Sequence, residues 1–210
     1  MKKTLATALM AASLVFGSST VTFAADSFSD VPTGHWAYKS VNVLIEDGII
    51  NPEIYFQDKN FSGNSKINRY DVAIMLGNLL ERNYNVAVKN QNSFSDVTQN
   101  DPAYKAVELL NQYSIMEGYG NGTFRGTKEI NRFELAAVLA RFLDKIGVNA
   151  SSQAPNFSDV PENHWAYKSI AKVSGLMEGY GDGTFRGNNV MNRFELALII
   201  AKIDKEYLNK

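Results

Sequence analysis

Two phrases recur three times along this chain, in the same order, and any fold must accommodate that repetition first. Phe-Ser-Asp-Val begins at Phe28, Phe94 and Phe157, intervals of 66 and 63 residues. A second phrase, Asn-Arg-aromatic-acid, follows as Asn68-Arg69-Tyr70-Asp71, Asn131-Arg132-Phe133-Glu134 and Asn192-Arg193-Phe194-Glu195. Spacing this regular marks one structural unit copied in tandem, and it implies several imperfect versions of any binding site rather than one catalytic centre. The units are placed at 25–86, 94–147 and 157–210.

Each unit reads as a helix, a loop and a second helix. The first helix of unit one is expected over His35 to Ile45, with Ala37, Val41, Leu44 and Ile45 on one face and Gly48 as terminator. His164-Trp165-Ala166-Tyr167 opens the same helix in unit three, carrying Ile170 and Val173 and stopping at Gly175. Unit two has Asp101-Pro102-Ala103-Tyr104 there, so the tryptophan is lost and a proline enters the first helical turn, where it is tolerated. The second helix has the clearer start. Asn131 is a good N-cap, and Glu134 sits three residues on, where its carboxylate reaches back to the cap N–H. Leu135, Val138, Leu139, Phe142, Leu143 and Ile146 form its apolar stripe, and Gly147 ends it. Asn68 with Asp71 and Asn192 with Glu195 repeat the capping pair. Neither helix buries its stripe alone, so the units pack into one all-α body of three tandem helix-loop-helix repeats.

Between the helices, Glu117 to Gly126 and Glu178 to Gly187 are two copies of one glycine-rich loop, with aromatic residues to pin it. Unit one carries Pro52-Glu53-Ile54-Tyr55-Phe56-Gln57-Asp58 instead and is read as lacking that loop. The polar, aperiodic stretches 83–93 and 148–156 read as linkers.

The first residues stand apart from the repeats. Lys2 and Lys3, an apolar run from Leu5 to Phe16 and Thr22-Phe23-Ala24 make 1–24 a secretory signal peptide cut after Ala24. No later stretch is long and apolar enough to span a membrane, so the mature chain has no transmembrane segment. The absence of cysteine suits an exported domain large enough to build its core without disulfides. Removing the signal segment takes two lysines and no acid, which moves the formal net charge from -1 to -3. A weakly acidic chain is not a general sponge for nucleic acid, so an anion needs local geometry to bind.

Catalytic chemistry is poorly supplied. His35 and His164 occupy equivalent places in different units, and there is no cysteine nucleophile. Glu134 and Glu195 imitate a glycosidase pair, but each already has a capping task. Asp182 lies in a glycine-rich loop without the regular series of oxygen ligands that a calcium loop needs. No enzyme activity, cofactor or metal site is expected.

Taken together, Phe157-Ser158-Asp159-Val160-Pro161, His164-Trp165-Ala166-Tyr167, Gly179 to Arg186 and Met191-Asn192-Arg193-Phe194-Glu195-Leu196-Ala197 resemble the S-layer homology domain family. These modules fasten exported bacterial proteins to the cell envelope, and the resemblance runs as three copies from Phe28 to about Ile203. It implies a pseudo-threefold bundle whose grooves bind cell-wall polysaccharide, often one bearing a pyruvate ketal. Its second helix typically opens Thr-Arg-Ala-Glu with the arginine as principal ligand contact, which here corresponds to Arg69, Arg132 and Arg193. Asparagine replaces the threonine and keeps the cap, whereas Tyr70, Phe133 and Phe194 replace the alanine and reshape the groove. Similar aromatic variants occur in envelope proteins of bacteria with outer membranes, where the modules hold the outer membrane to a peptidoglycan-linked polymer.

A physical argument for an anion site stands beside the resemblance. A helix N-terminus offers unpaired N–H groups and the positive end of its dipole, and an arginine in the first turn adds a planar fork for carboxylate or phosphate. The expected ligand-contacting set is Arg69, Arg132 and Arg193 with Asn131, Asn192, Phe133, Phe194, Trp36, Trp165, Arg125 and Arg186. Trp36 and Trp165 are either core residues or sugar platforms, and Arg125 and Arg186 either line a groove or close a loop. Asn68, Asp71, Glu134 and Glu195 are caps. Arg69 ranks below Arg132 and Arg193, because its unit lacks the glycine loop. The expected partner is a cell-wall polysaccharide or peptidoglycan-linked polymer, at the cell wall, the cell surface or the periplasmic face of the envelope. Only Asp204 to Lys210 follow the third copy. The alternative reading is therefore an adaptor or structural subunit that binds another envelope protein.

Overall fold

In the computed structural model the described residues are 28–56, 58–89, 91–148 and 156–208, so the expected signal segment lies outside them. Among them the α-helices are α1 (Tyr38–Glu46), α2 (Pro52–Tyr55), α3 (Arg69–Tyr84), α4 (Tyr104–Gln112), α5 (Arg132–Lys145), α6 (Tyr167–Lys172) and α7 (Arg193–Ile203), and a π-helical segment (Asp204–Leu208) follows the last. No strand forms among the described residues, and the architecture is all-α.

The second helices, α3, α5 and α7, start where their caps predict. Each N-cap asparagine accepts the N–H three residues on, and Asp71, Glu134 or Glu195 accepts the cap's own N–H, a complete capping box in every copy. The first helices start later than expected, at Tyr38, Tyr104 and Tyr167. The reason is a side-chain turn that precedes them. Nδ1 of His35 and of His164 accepts the N–H of Ala37 and Ala166 at 3.2 Å, and Asp101 Oδ1 accepts that of Ala103 at 2.8 Å. Pro102 therefore sits in the turn and not in the helix. α6 also ends early, at Lys172 instead of Gly175, and module 1 gains the unforeseen α2, with Pro52 in its first turn and Asn51 as cap.

The helices of one module do not chiefly pack on each other. α4 lies on α3, α6 on α5, and α1 on α7, so each first helix leans on the second helix of the module before it. The last of these pairings joins module 1 to module 3 and closes a pseudo-threefold ring. At its centre, the segments leading into the second helices pair through antiparallel bridges, Lys66 with Asn192, Asn68 with Glu129 and Asn131 with Val190. Ile67, Ile130 and Met191 bury their side chains there, and Leu76, Leu139 and Ile200 repeat one fully buried place along the three second helices. Gly77 lets α3 and α4 approach closely, since a Cβ there would lie 2.6 Å from that of Ala106. At the far ends of the paired helices, Lys105 meets Glu81, Lys172 meets Asp144, and Lys205 meets Asp47.

Candidate functional site

The aspartate of Phe-Ser-Asp-Val sets up every joint between modules. Asp30 accepts the N–H groups of Phe61 and Ser62 at 2.8 Å, Asp96 those of Phe124 and Arg125 at 2.7 Å, and Asp159 those of Phe185 and Arg186 at 2.8 Å. Each carboxylate thus holds a Phe-x-Gly turn whose middle residue is left-handed, with φ of 53° at Ser62, 57° at Arg125 and 52° at Arg186. Module 1 therefore keeps this closing turn, although α2 and no glycine-rich loop precede it. Phe61-Ser62-Gly63 was the overlooked signal, at the same distance before the cap asparagine as Phe124-Arg125-Gly126 and Phe185-Arg186-Gly187. The role of the three aspartates was also missed.

The turn then receives the second helix of the preceding module. Arg69 and Tyr70 donate their N–H groups to the carbonyls of Lys128 and Gly126, Arg132 and Phe133 to those of Asn189 and Gly187, and Arg193 and Phe194 to those of Ser65 and Gly63. The next N–H, of Asp71, Glu134 or Glu195, goes to the cap asparagine. The unpaired N–H groups expected at these helix starts are therefore absent, because a neighbouring turn and the cap consume them. An anion at the joint must be held by side chains.

The arginine side chains follow the same cycle. Arg69 donates Nε to Phe124 O at 2.8 Å and Nη2 to Glu117 O at 2.6 Å, and its guanidinium lies 4.4 Å from the Phe124 ring centroid. Arg132 repeats this with Phe185 O at 3.0 Å, Glu178 O at 2.7 Å and the Phe185 ring at 4.4 Å. Both residues are buried, and burial pulls each guanidinium below its ordinary pKa. An arginine stays charged under any such shift. Arg193 differs, since it donates Nε to Asp71 Oδ1 at 3.0 Å and Nη1 to Phe61 O at 2.5 Å.

The aromatic residue after each arginine lies against the neighbour's glycine. A Cβ on Gly126, Gly187 or Gly63 would come within 2.1, 2.1 or 2.2 Å of the ring of Tyr70, Phe133 or Phe194. Phe133 and Phe194 are buried, so neither presents an open face to a sugar. His164 and His35 cover them at 4.4 and 4.6 Å between centroids, and Trp165 and Trp36 stand edge-on to the same rings. Both tryptophans are 64% exposed, which places them on the surface and not in the core. In module 2 the histidine is Asp101 and its aromatic partner is Tyr70. Burial, and then a hydrogen bond to Asp101, raise the Tyr70 hydroxyl well above its ordinary pKa.

The remaining expected residues divide between rim and scaffold. Arg125 lies over the Tyr119 ring at 4.7 Å and Arg186 over Tyr180 at 4.2 Å, both exposed at the loop ends. Arg186 is paired with Asp182 at 2.7 Å, whereas Asn121 fills the acid's place in module 2. Asn131 and Asn192 use their side-chain oxygens as caps, and Glu134 and Glu195 return to the cap N–H groups. Two clefts open beside the arginines. One, of about 220 Å³, lies between Arg193 and module 1 and is lined by Tyr55, Phe56, Asp58 and Asp71. The other, of about 370 Å³, lies between Arg132 and α7 and is lined by Leu176, Glu195, Leu198 and Lys202. Among the described residues no helix is long and apolar enough to cross a membrane.

A family profile described as the S-layer homology domain matches residues 27–73, 93–136 and 156–197. The chain is 30% identical over 165 residues to cell surface glycoprotein 1 of Acetivibrio thermocellus, covering 73% of this chain and 7% of that protein. It is 32% identical over 155 residues to the cellulosome-anchoring protein of the same organism, covering 71% of this chain and 34% of that one. S-layer protein EA1 of Bacillus anthracis is 29% identical over 214 residues, which covers 100% of this chain and 24% of EA1. The chain thus spans about a third or less of the length of these relatives.

Proposed function

The chain belongs to the S-layer homology domain family, as three modules in tandem, and from that premise we propose that it is a non-catalytic anchor holding exported protein to the bacterial cell wall. The reading places its ligand, an acidic wall polysaccharide or peptidoglycan-linked polymer such as a pyruvylated one, in the grooves at the joints between modules. The observation that carries it is the state of Arg132. Loop carbonyls and a ring fix its guanidinium, while Nη1 has no bond to a described residue and is not sealed from solvent, and Arg132 lines a cleft together with Lys202. A preorganised fork with an open nitrogen suits a carboxylate on a sugar. Residues 1–24 would act as the export signal, and Trp36 and Trp165 would offer exposed faces to sugar rings near the joints. The names of the cellulosome-anchoring and S-layer relatives support an anchoring role at the cell surface.

Sedimentation with purified walls, before and after mild acid strips the attached polymer, tests this function. Retention on intact walls and release from stripped ones is the expected result, and equal retention on bare peptidoglycan contradicts it. A second reading, a docking subunit for another envelope protein, draws on the two exposed tryptophans. It predicts one stoichiometric protein recovered from crosslinked envelopes, with no affinity for wall polymer.

A further inference from the structure

The three joints share one backbone hydrogen-bond design, but the charges beside their arginines differ. Where module 3 meets module 1, Arg193 is ion-paired to Asp71 at 3.0 Å, with side-chain exposures of 15% and 13%. Asp58 lines the same cleft, so one cation there faces two carboxylates. Further along α3 stands Asn78, a neutral residue whose amide is committed to Ile49 O and Tyr55 Oη.

Among the described residues, the other two joints leave their arginines without an ion pair, although Glu178 and Glu195 line the Arg132 cleft beside Lys202. Arg132 and Arg69 bond only to carbonyl oxygens, and among the described residues neither makes an ion pair with Glu195 or Glu134, the counterparts of Asp71. The places of Asn78 are taken by Lys202 and Arg141. At the Arg69 joint, Arg125 and Lys128 gather with Arg69 around the Tyr119 ring, at 4.7, 4.6 and 4.9 Å. The chemical cause of the difference is the single acid at N3. Asp71 caps Asn68 through Oδ2 and spends Oδ1 on Arg193, whereas Glu134 caps through Oε2 and turns Oε1 to Lys128 at 3.9 Å. An anion entering the Arg193 cleft would meet a guanidinium whose charge Asp71 already offsets, and repulsion from both Asp71 and Asp58.

We propose that Asp71 is a specificity-determining residue that closes the joint between modules 3 and 1 to acidic groups. The chain then has two carboxylate-accepting grooves, headed by Arg69 and Arg132. This rests on the anion-binding reading above and reverses the sequence-based ranking of Arg193 over Arg69.

Calorimetric titration of the full chain with a 4,6-pyruvylated N-acetylhexosamine methyl glycoside, against its unketalised parent, decides it. Wild type is expected to bind two equivalents of the ketal, and Asp71→Asn, which keeps an oxygen for the cap, three, the new site within about tenfold of the others. Arg193→Gln, which keeps donors for Phe61 O, is expected to leave two equivalents, and Arg132→Gln one. Thermal melts confirm folding of each variant. Three equivalents in wild type, a loss on Arg193→Gln, or two in both wild type and Asp71→Asn overturns the assignment to Asp71. Absence of ketal binding by any of these proteins overturns the anion reading itself, and the inference with it.

Discussion

The turns of module 1 and module 3 do the same work with different residues. In module 3, Ser158 donates its N–H to Gly183, which has φ of 78°, and the left-handed Arg186 follows before Gly187. In module 1, Ser29 donates to Lys59, at φ of 55°, and Ser62 and Gly63 follow. Asp159 and Asp30 hold both turns with two hydrogen bonds each. What differs is the rim, where Tyr180 and Arg186 give way to Phe56 and Ser62 and α2 stands ahead of them, while Asp58 keeps the place of Asp182. The joint is constrained by backbone geometry that closes the ring, while rim side chains contribute little to closure and are free to change charge. A ring of equal joints can therefore carry unequal grooves.

The comparison is tested most severely at the packed aromatics. Phe194→Ala and Phe133→Ala each empty a buried site between modules and are expected to cost about 3–5 kcal/mol alike in denaturant unfolding. A cost at Phe194 well below that at Phe133 would mean that the ring is weakly closed between modules 3 and 1. A smaller effect is expected at the aspartates. Burial pushes the Asp96 carboxyl up, but the N–H groups of Phe124 and Arg125 hold it below its ordinary value. Its contribution is present above the unfolded-state pKa and is lost as pH falls through the lower folded-state value. Asp96→Asn should therefore flatten the acid side of the stability profile, read as melting temperature against pH, and an unchanged profile would refute the role given to Asp96. The smallest effect concerns the left-handed residues. Lys59→Gly should stabilise, and Gly183→Ala destabilise, each by about 1 kcal/mol in denaturant titration, since only glycine takes positive φ without steric cost. A destabilising Lys59→Gly or a stabilising Gly183→Ala would show that the two turns are not equivalent.

Much of this was legible from residues alone. The capping boxes at Asn68, Asn131 and Asn192 are local, so three residues suffice to specify them. The true start of the first helices was not legible, because a histidine or aspartate side chain replaces the helical hydrogen bonds ahead of Tyr38, Tyr104 and Tyr167. The interleaving of α1 with α7 was hidden for another reason. Periodicity identifies an apolar face but not which neighbour will cover it. The module 1 turn escaped notice because Lys59 and Ser62 adopt left-handed conformations that sequence reasoning reserves for glycine. The arginines were found by motif, but their bonds to another module's carbonyls depend on ring closure, which spacing does not encode.

The central claim is that an acidic sugar is taken at the joints between modules. Its most direct test is a nuclear magnetic resonance titration of the ¹⁵N-labelled chain with the pyruvylated glycoside, following the arginine Nε signals. The account predicts that Arg69 and Arg132 Nε shift together with the amides around Glu117, Phe124, Glu178 and Phe185, and that the unketalised sugar moves them far less. Shifts confined to the stretch 83–93 or to the far ends of the helices, with both Nε signals unmoved, would contradict it.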